Sequence, residues 1–497
     1  MSYTKRIGLF LGPILFVYFN FFFKAEGISP EAQATLACAS WIAVWWTMEI
    51  IPIAATALLP IVLFPLTGAL SLEKTTASYG HKYVFLFIGG FLIAIAIEKW
   101  NLHRRIALNI INLIGTSVNR IILGFMVATA FLSMWISNTA TTVMMLPIGM
   151  AIVAQLKDNP TTRENENSAF GKGLMLAIAY AASIGGMATL IGTPPNLILA
   201  GVLQESYGVE ITFIQWMKFG FPISIILLGI CWLYITRYAF SGKKNEDFKM
   251  PKKFPGGRSE IKRLLEGLGK TSKEEKTILI VFGLTAFCWM FRSYLIKPFI
   301  PQIDDTIIAM FFALILFLLP SKNDEKGKIL NWEEAVKLPW GILLLYGGGL
   351  ALASGFSETG LAEWIGSQLT SIQNISLFLL VLILIASVNF LTEITSNLAT
   401  TAMLLPVIVP VALIFDTHPY ILMVGVTVAA SCAFMLPVAT PPNAIVFGSG
   451  YLRIPDMVRT GVWLNIISII LLTLFTYFAL PYIWDFTPDL FPETFRK

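Results

Sequence analysis

Apolar runs of bilayer-spanning length, about 20 residues each, succeed one another along almost the whole chain. They fall near 7–23, 33–69, 83–98, 106–136, 172–203, 212–240, 276–300, 305–320, 340–356, 374–392, 420–437 and 459–484. The run at 33–69 is interrupted at Glu49-Ile50-Ile51-Pro52, where Glu49 is expected to anchor a helix break. Two polar interruptions repeat: Ser137-Asn138-Thr139-Ala140-Thr141-Thr142 returns as Ser396-Asn397-Leu398-Ala399-Thr400-Thr401. Each is followed by a proline, Pro147 and Pro406, which predicts broken or re-entrant elements near 137–157 and 396–415 whose freed backbone groups line a cavity.

The repeat extends beyond these motifs. Ser137 and Ser396 are 259 positions apart, and the same spacing relates Gly89-Gly90 to Gly348-Gly349 and Leu102 to Leu361. Thr193-Pro194-Pro195-Asn196 reappears as Thr440-Pro441-Pro442-Asn443 at a spacing of 247. The shortfall is absorbed by the polar stretch from Lys157 to Phe170, which faces a shorter link at Asp416-Thr417-His418-Pro419. The chain therefore divides into an N-terminal helix (1–32), a first copy (33–240), a basic loop (241–275), a second copy (276–484) and a tail (485–497). Whether the copies are parallel or inverted depends on the parity of crossings between equivalents, which the runs leave open.

Composition narrows the class. With 56% hydrophobic and 13% charged residues and a mean hydropathy of +0.73, a chain of 497 residues cannot bury its apolar surface in globular domains. It is an all-α polytopic membrane protein. The first run lacks a small-residue cleavage site and is read as a membrane helix rather than a signal peptide. Eleven Lys or Arg lie between Lys243 and Lys276, which places that loop in the cytoplasm, and Lys5 and Arg6 place the N-terminus there too. Six acidic residues are interspersed in the loop without an aromatic platform, so it is not a nucleic-acid arm. The tail carries Asp485 and Asp489, and opposite sides for the two ends require an odd number of crossings.

The chemistry that remains is that of ion binding. Ser, Asn and Thr at a helix start present hydroxyls, an amide and free backbone N–H groups to an anion. Thr-Pro-Pro-Asn removes two N–H donors, holds the chain extended and leaves carbonyl oxygens for a hard cation. No Lys or Arg occurs at 121–156 or at 338–452, so a dianion would meet only neutral donors, and co-bound cations are the remedy. Lys99, Arg104, Lys218 and Arg453 at helix ends are read as snorkelling to the interface. Glu393, just before the second motif, is either a proton carrier or a structural anchor, and its unmatched counterpart Met134 favours the anchor. Cys38, Cys231, Cys288 and Cys432 and the isolated His81, His103 and His418 lack metal-ligand spacing. Neither Gly-x-Ser-x-Gly nor His-Glu-x-x-His occurs, so no enzyme and no cofactor is expected.

The duplicated Ser-Asn motifs, their Thr-Pro-Pro-Asn partners, Trp45-Trp46-Thr47-Met48-Glu49-Ile50-Ile51-Pro52 and Thr392-Glu393-Ile394-Thr395-Ser396-Asn397 together resemble the divalent anion/sodium symporters. The resemblance is nearest to their sodium-dicarboxylate cotransporter branch. It spans about residues 33 to 484 and implies about eleven transmembrane helices and two re-entrant hairpins in inverted repeats. It also implies a homodimer and an elevator movement. One sodium is then expected among Ser133, Ser137, Asn138 and the Gly192 backbone, and another among Thr392, Ser396, Asn397 and the Ala439 backbone. Ser137, Asn138, Thr139, Ser396 and Asn397, helped by Thr193 and Thr440, would hold the carboxylates, with Leu398 departing from a strict Ser-Asn-Thr. The expected activity is sodium-coupled symport of a C4 dicarboxylate (succinate, malate or fumarate) across the cell (inner) membrane. The same fold would serve a sodium-independent exchanger or a sodium-coupled citrate or sulfate carrier.

Overall fold

The computed structural model describes residues 3–115, 117–155, 166–240, 257–324, 326–368 and 375–495. The polar stretch at 157–165 and the basic stretch at 241–256 lie outside the described residues. After α1 (Tyr3–Val17), the first copy runs α2 (Pro30–Met48), α3 (Leu59–Thr67), α4 (Lys82–Lys99) and α5 (Leu102–Ile114). It continues with α6 (Val118–Ser133), α7 (Asn138–Ala154), α8 (Glu166–Gly186), α9 (Pro194–Tyr207) and α10 (Phe213–Tyr234). A short amphipathic helix, α11 (Gly257–Gly267), precedes the second copy. The second copy repeats the order as α12 (Lys273–Phe291), α13 (Asp305–Leu318), α14 (Trp340–Glu358), α15 (Leu361–Gln368), α16 (Leu377–Leu391), α17 (Asn397–Ile414), α18 (Pro419–Ala430), α19 (Pro441–Phe447) and α20 (Ile454–Leu474).

Local signals account for the boundaries. Pro30 opens α2 behind Ser29, whose side chain accepts from Ala32 N, and the helix ends where Glu49 turns left-handed at φ 44 before Pro52. Ser272 and Glu275 form a reciprocal capping box at the start of α12. Gly115, at φ 119, cuts the apolar run 106–136 into the amphipathic α5 and the apolar α6.

Three sequence expectations change here. The helices run on through Pro147, which is exposed, and Pro406, which is buried, each proline removing one N–H from a helix that otherwise keeps its bonds. The break lies instead before each motif, at 134–137 and 392–396, so the hairpins are α6–α7 and α16–α17 with Ser137 and Ser396 at their tips. Thr-Pro-Pro-Asn is extended only at its threonine (φ −141 at Thr193 and Thr440); the prolines occupy the first turn of α9 and α19, where an N–H is unneeded.

Eight described segments are long and apolar enough to cross a bilayer, and shorter apolar helices complete the pattern. Each copy crosses an odd number of times, by α2, α3, α4, the α8–α9 pair and α10, and by their equivalents, so the copies are inverted. With α1 this gives about eleven crossings and two hairpins that return to the side they entered. The membrane-span window of α8 is 94% buried and that of α1 only 11%, which sets α8 at the centre of the chain and α1 at its periphery. The two broken helices cross-pack: α8 lies against α19, and α18 against α9. The hairpins follow the same exchange, α7 against α19 and α17 against α9.

One buried ion cluster ties the copies together at the α9–α10 turn. Arg292, 1% exposed, pairs with Glu210 at 3.1 Å and with Asp305 at 3.1 Å, and Asp305 accepts the Phe213 backbone N–H at 2.9 Å. Arg292→Met strands the buried Asp305 carboxylate and should cost about 3–5 kcal/mol, read as a fall in thermal unfolding temperature. Arg292→Met with Asp305→Asn should recover at least half of that loss, and an unchanged single variant would show that the cluster does not brace the fold.

Candidate functional site

The two hairpin tips carry the same polar construction. In the first, Ser133 Oγ lies 2.5 Å from Asn138 Oδ1 and 2.7 Å from the Ala182 carbonyl. In the second, Thr392 Oγ1 lies 2.7 Å from Asn397 Oδ1 and 3.1 Å from the Ala430 carbonyl. Each hydroxyl has one proton to offer two acceptor oxygens, so each tip gathers three oxygens around a single proton. Ser133 and Thr392 are fully buried, which makes the proton deficit expensive unless a cation supplies the missing positive charge. The oxygen set and its burial suit a hard cation such as sodium.

Backbone geometry closes the first cradle. A Cβ at Gly186 would stand 2.4 Å from Asn138 Oδ1, and one at Gly192 would stand 2.5 Å from the Gly186 carbonyl, so both glycines are needed for this approach. Ser137 caps α7 by accepting from Ala140 N at 3.2 Å, whereas Ser396 makes no such cap and keeps its hydroxyl free of that duty. Thr142 and Thr401 return their hydroxyls to the Asn138 and Asn397 carbonyls at 2.7 and 2.8 Å, sealing the first turns.

Of the residues expected to bind, Ser137, Asn138, Ser396 and Asn397 are half-buried at the tips, and Thr139 is exposed. Thr193 and Thr440 are buried at the starts of α9 and α19, and Gly192 and Ala439 are buried in the loops before them. The helix exchange sets the Ser137 tip's α7 beside the helix that Thr440 opens, and the Ser396 tip's α17 beside the helix that Thr193 opens. Among the described residues no hydrogen bond joins the tips directly; the loops behind them meet, with Cys432 Sγ 3.6 Å from Met187 Sδ and Tyr180 donating to the Phe434 carbonyl at 2.8 Å. Leu398 is half-buried against the core, where Thr139 is open.

Glu393 is an anchor. Its carboxylate accepts the backbone N–H groups of Phe434 (2.7 Å), Met435 (3.0 Å) and Leu436 (3.0 Å) and the Asn465 amide (2.7 Å), fastening the second tip to the loop between α18 and α19. The first copy makes the equivalent tie with the polarity reversed: Thr189, at the position of Leu436, donates its hydroxyl to the carbonyl of Met134, at the position of Glu393. Sequence reading missed Thr189 and Asn465, since a lone Thr or Asn in an apolar run carries no sign of its partner. The helix-end cations are engaged elsewhere or exposed. Lys99 meets Asp324 at 3.0 Å, Lys218 reaches the Tyr294 hydroxyl at 3.4 Å, and Arg104 and Arg453 are exposed, the Arg453 backbone N–H donating to Asp456 at the start of α20. Among the described residues no group of three or more His, Cys, Asp or Glu is placed to hold a metal. A small apolar cavity beside the first tip, lined by Gly90, Ile93, Trp135, Ile191, Phe282 and Trp289, offers no charge to an anion.

Inverted copies, re-entrant hairpins and broken helices meeting at mid-membrane define a secondary transporter. The chain belongs to the family described as the sodium:sulfate symporter transmembrane region, whose model matches residues 4–484. It is 49% identical over 482 residues to the sodium-dependent dicarboxylate transporter SdcS of Staphylococcus saprophyticus, covering 96% of this chain and 92% of that one. Against the SdcS of Staphylococcus aureus strain USA300 the identity is 48% over 485 residues, covering 97% and 92%. Among solved structures, the Alcanivorax borkumensis YdaH transporter matches with a TM-score of 0.59 at 13% identity, covering 91% of this chain and 99% of that one, which speaks for the fold alone.

Glu393→Ala would leave the Met435 and Leu436 backbone N–H groups and the Asn465 amide without their acceptor, while Phe434 N–H keeps Asn465 Oδ1 at 3.2 Å, and should lower stability by roughly 3 kcal/mol, measured by thermal unfolding of the purified protein. Met134→Ala, which leaves the Thr189 bond to the backbone intact, should cost less, and a reversed order would remove the anchor role.

Proposed function

We propose that this chain is a sodium-coupled symporter that carries a C4 dicarboxylate, such as succinate, malate or fumarate, into the cell. The observation that supports it most is the pair of proton-poor oxygen clusters, one behind each hairpin tip, in a region where the helix-end Lys and Arg are engaged elsewhere or exposed. The two SdcS relatives, matched over nearly their whole lengths, point to the same cargo and ion.

In this reading Ser133, Ser137, Asn138 and the Gly192 backbone hold one sodium, and Thr392, Ser396, Asn397 and the Ala439 backbone hold the other. Sodium supplies positive charge and brings the oxygens of each cluster to one centre. The tips, Ser137-Asn138-Thr139 and Ser396-Asn397, with Thr193 and Thr440, then take one carboxylate each by hydroxyl, amide and backbone N–H donors. The order follows from electrostatics: a dianion facing neutral donors in a low-dielectric site gains little before the cations are in place. Leu398 removes a hydroxyl from the second half-site, and selectivity among dicarboxylates is written at that position.

The hairpins and the helices that cross-pack behind them move as one body against the remaining spans, an elevator stroke for which the amphipathic α5 and α15, leading into the two hairpins, form the arms. The 33–240 and 276–484 copies each contribute a static and a moving part, and a homodimer holds the static parts. The N-terminus and the 241–275 loop face the cytoplasm of the cell (inner) membrane, a reading supported by the even number of crossings between these two basic segments.

Reconstituted vesicles should accumulate succinate under an inward sodium gradient, and uptake unchanged when choline replaces sodium would overturn the coupling. Asn138→Ala and Asn397→Ala should each reduce that uptake at least tenfold at fixed sodium, and near-normal rates in either would remove that residue from the site. Leu398→Thr should change the ranking of succinate, malate, fumarate and citrate as competitors, and an unchanged ranking would place selectivity elsewhere.

A further inference from the structure

Both Thr-Pro-Pro-Asn motifs end in an asparagine whose geometry the proposed roles leave unused. Asn196 and Asn443 are completely buried. Asn196 Nδ2 donates to the Gly186 carbonyl at 3.3 Å and the Thr189 carbonyl at 2.8 Å. Asn443 Nδ2 donates to the Ala433 carbonyl at 3.2 Å and the Leu436 carbonyl at 3.0 Å. These four acceptors are equivalent pairs at the 247-residue spacing. Two backbone acceptors fix which end of each amide is nitrogen, so its oxygen faces the other way. In both copies that Oδ1 is buried and has no hydrogen-bond donor.

The carbonyls that the amides grip are those that shape the cation loops. Thr189 O also accepts the Gly192 N–H at 3.3 Å, and Leu436 O accepts the Ala439 N–H at 3.3 Å. Each asparagine therefore bonds to the same oxygen as the residue whose backbone is assigned to sodium. Gly186 O, the other acceptor in the first copy, is the atom that Gly192 approaches so closely that a Cβ there would stand 2.5 Å away. A buried acceptor left without a donor is costly, and the same unpaired oxygen at equivalent positions of two inverted copies is hard to account for by packing alone.

We propose that Asn196 and Asn443 are a matched pair of positioning residues for the two cation half-sites. Each Nδ2 folds its loop so that the Gly192 or Ala439 backbone is held toward the hairpin tip, and the amide acts on the cation through that loop rather than by touching it. The assignment rests on the sodium-coupled reading above. It places one positioning residue behind the expected cation shell in each copy and accounts for an asparagine, rather than an apolar residue, after each Pro-Pro.

The test is a sodium titration of purified, full-length protein without substrate, read as the rise in unfolding temperature when sodium replaces choline at constant ionic strength. The wild type tests the sodium reading: its unfolding temperature should rise with sodium, and a flat titration would overturn that reading and this assignment together. Asn196→Leu and Asn443→Leu keep the volume and remove donor and acceptor. Each should raise the sodium concentration for half-maximal stabilisation at least tenfold, and the double variant should lose the stabilisation. A wild-type response with either Leu variant also responding at wild-type sodium concentrations would overturn the asparagine assignment and leave the sodium reading standing. Should Leu prevent folding in choline, Asn→Ser, which keeps a small donor but cannot span to both carbonyls, must show the same displacement. In vesicles, Asn196→Ser and Asn443→Ser should raise the half-saturating sodium at least tenfold while the succinate KM at saturating sodium changes less than threefold. Equal shifts in both would indicate general loosening of the site and overturn the assignment.

Discussion

A helix that stops in mid-membrane leaves carbonyl and N–H groups with no water to pair with, and the rest of this structure follows from how those groups are satisfied. Four helices stop here, α6, α8, α16 and α18, and their ends are collected in one central region rather than dispersed. The inverted repeat makes this collection possible. Each broken helix packs on the second half of the other, so the exposed backbone of one copy is covered by the other copy and not by lipid. The side chains that complete the covering are Thr189 onto Met134 O and Glu393 onto three consecutive amides, each joining a hairpin to the broken helix of its own copy. The two copies solve the same problem with different residues.

Satisfaction is deliberately incomplete at the tips. Ser133 with Asn138 and Ala182, and Thr392 with Asn397 and Ala430, each leave oxygens short of a proton in the buried interior. A cluster of that kind, at the end of an apolar hairpin, is what the proposed cation half-sites are built on. In the proposed reading, coupling of cargo to ion follows from a dianion meeting a region where positive charge arrives as ions and not as fixed Lys or Arg.

Much of this was legible before any coordinates. The duplicated Ser-Asn and Thr-Pro-Pro-Asn motifs, their two spacings and the charge-free stretches around them give the repeat, the class and the candidate residues, because a polar cluster in an apolar run has few other reasons to exist. The prolines were less informative than they looked. Pro147 and Pro406 sit inside continuous helices, since losing one N–H does not end a helix whose remaining turns keep their bonds. The hairpins were also longer than their polar halves suggested, because the arms α6 and α16 read as ordinary spans when only hydrophobicity is considered.

The sequence by itself determined the membrane class, the duplication and the identity of the tip residues, all of which are written in local composition and in self-similarity along the chain. Tertiary structure alone decided the inverted crossing of α8 with α19 and of α18 with α9, the anchoring of Glu393 on the 434–436 amides, and the grip of Asn196 and Asn443 on the loops behind the tips. Those are contacts between segments far apart in sequence, or between a side chain and a backbone atom. A residue's type states what bonds it is able to make, and only the packing of the chain fixes which partners come within reach.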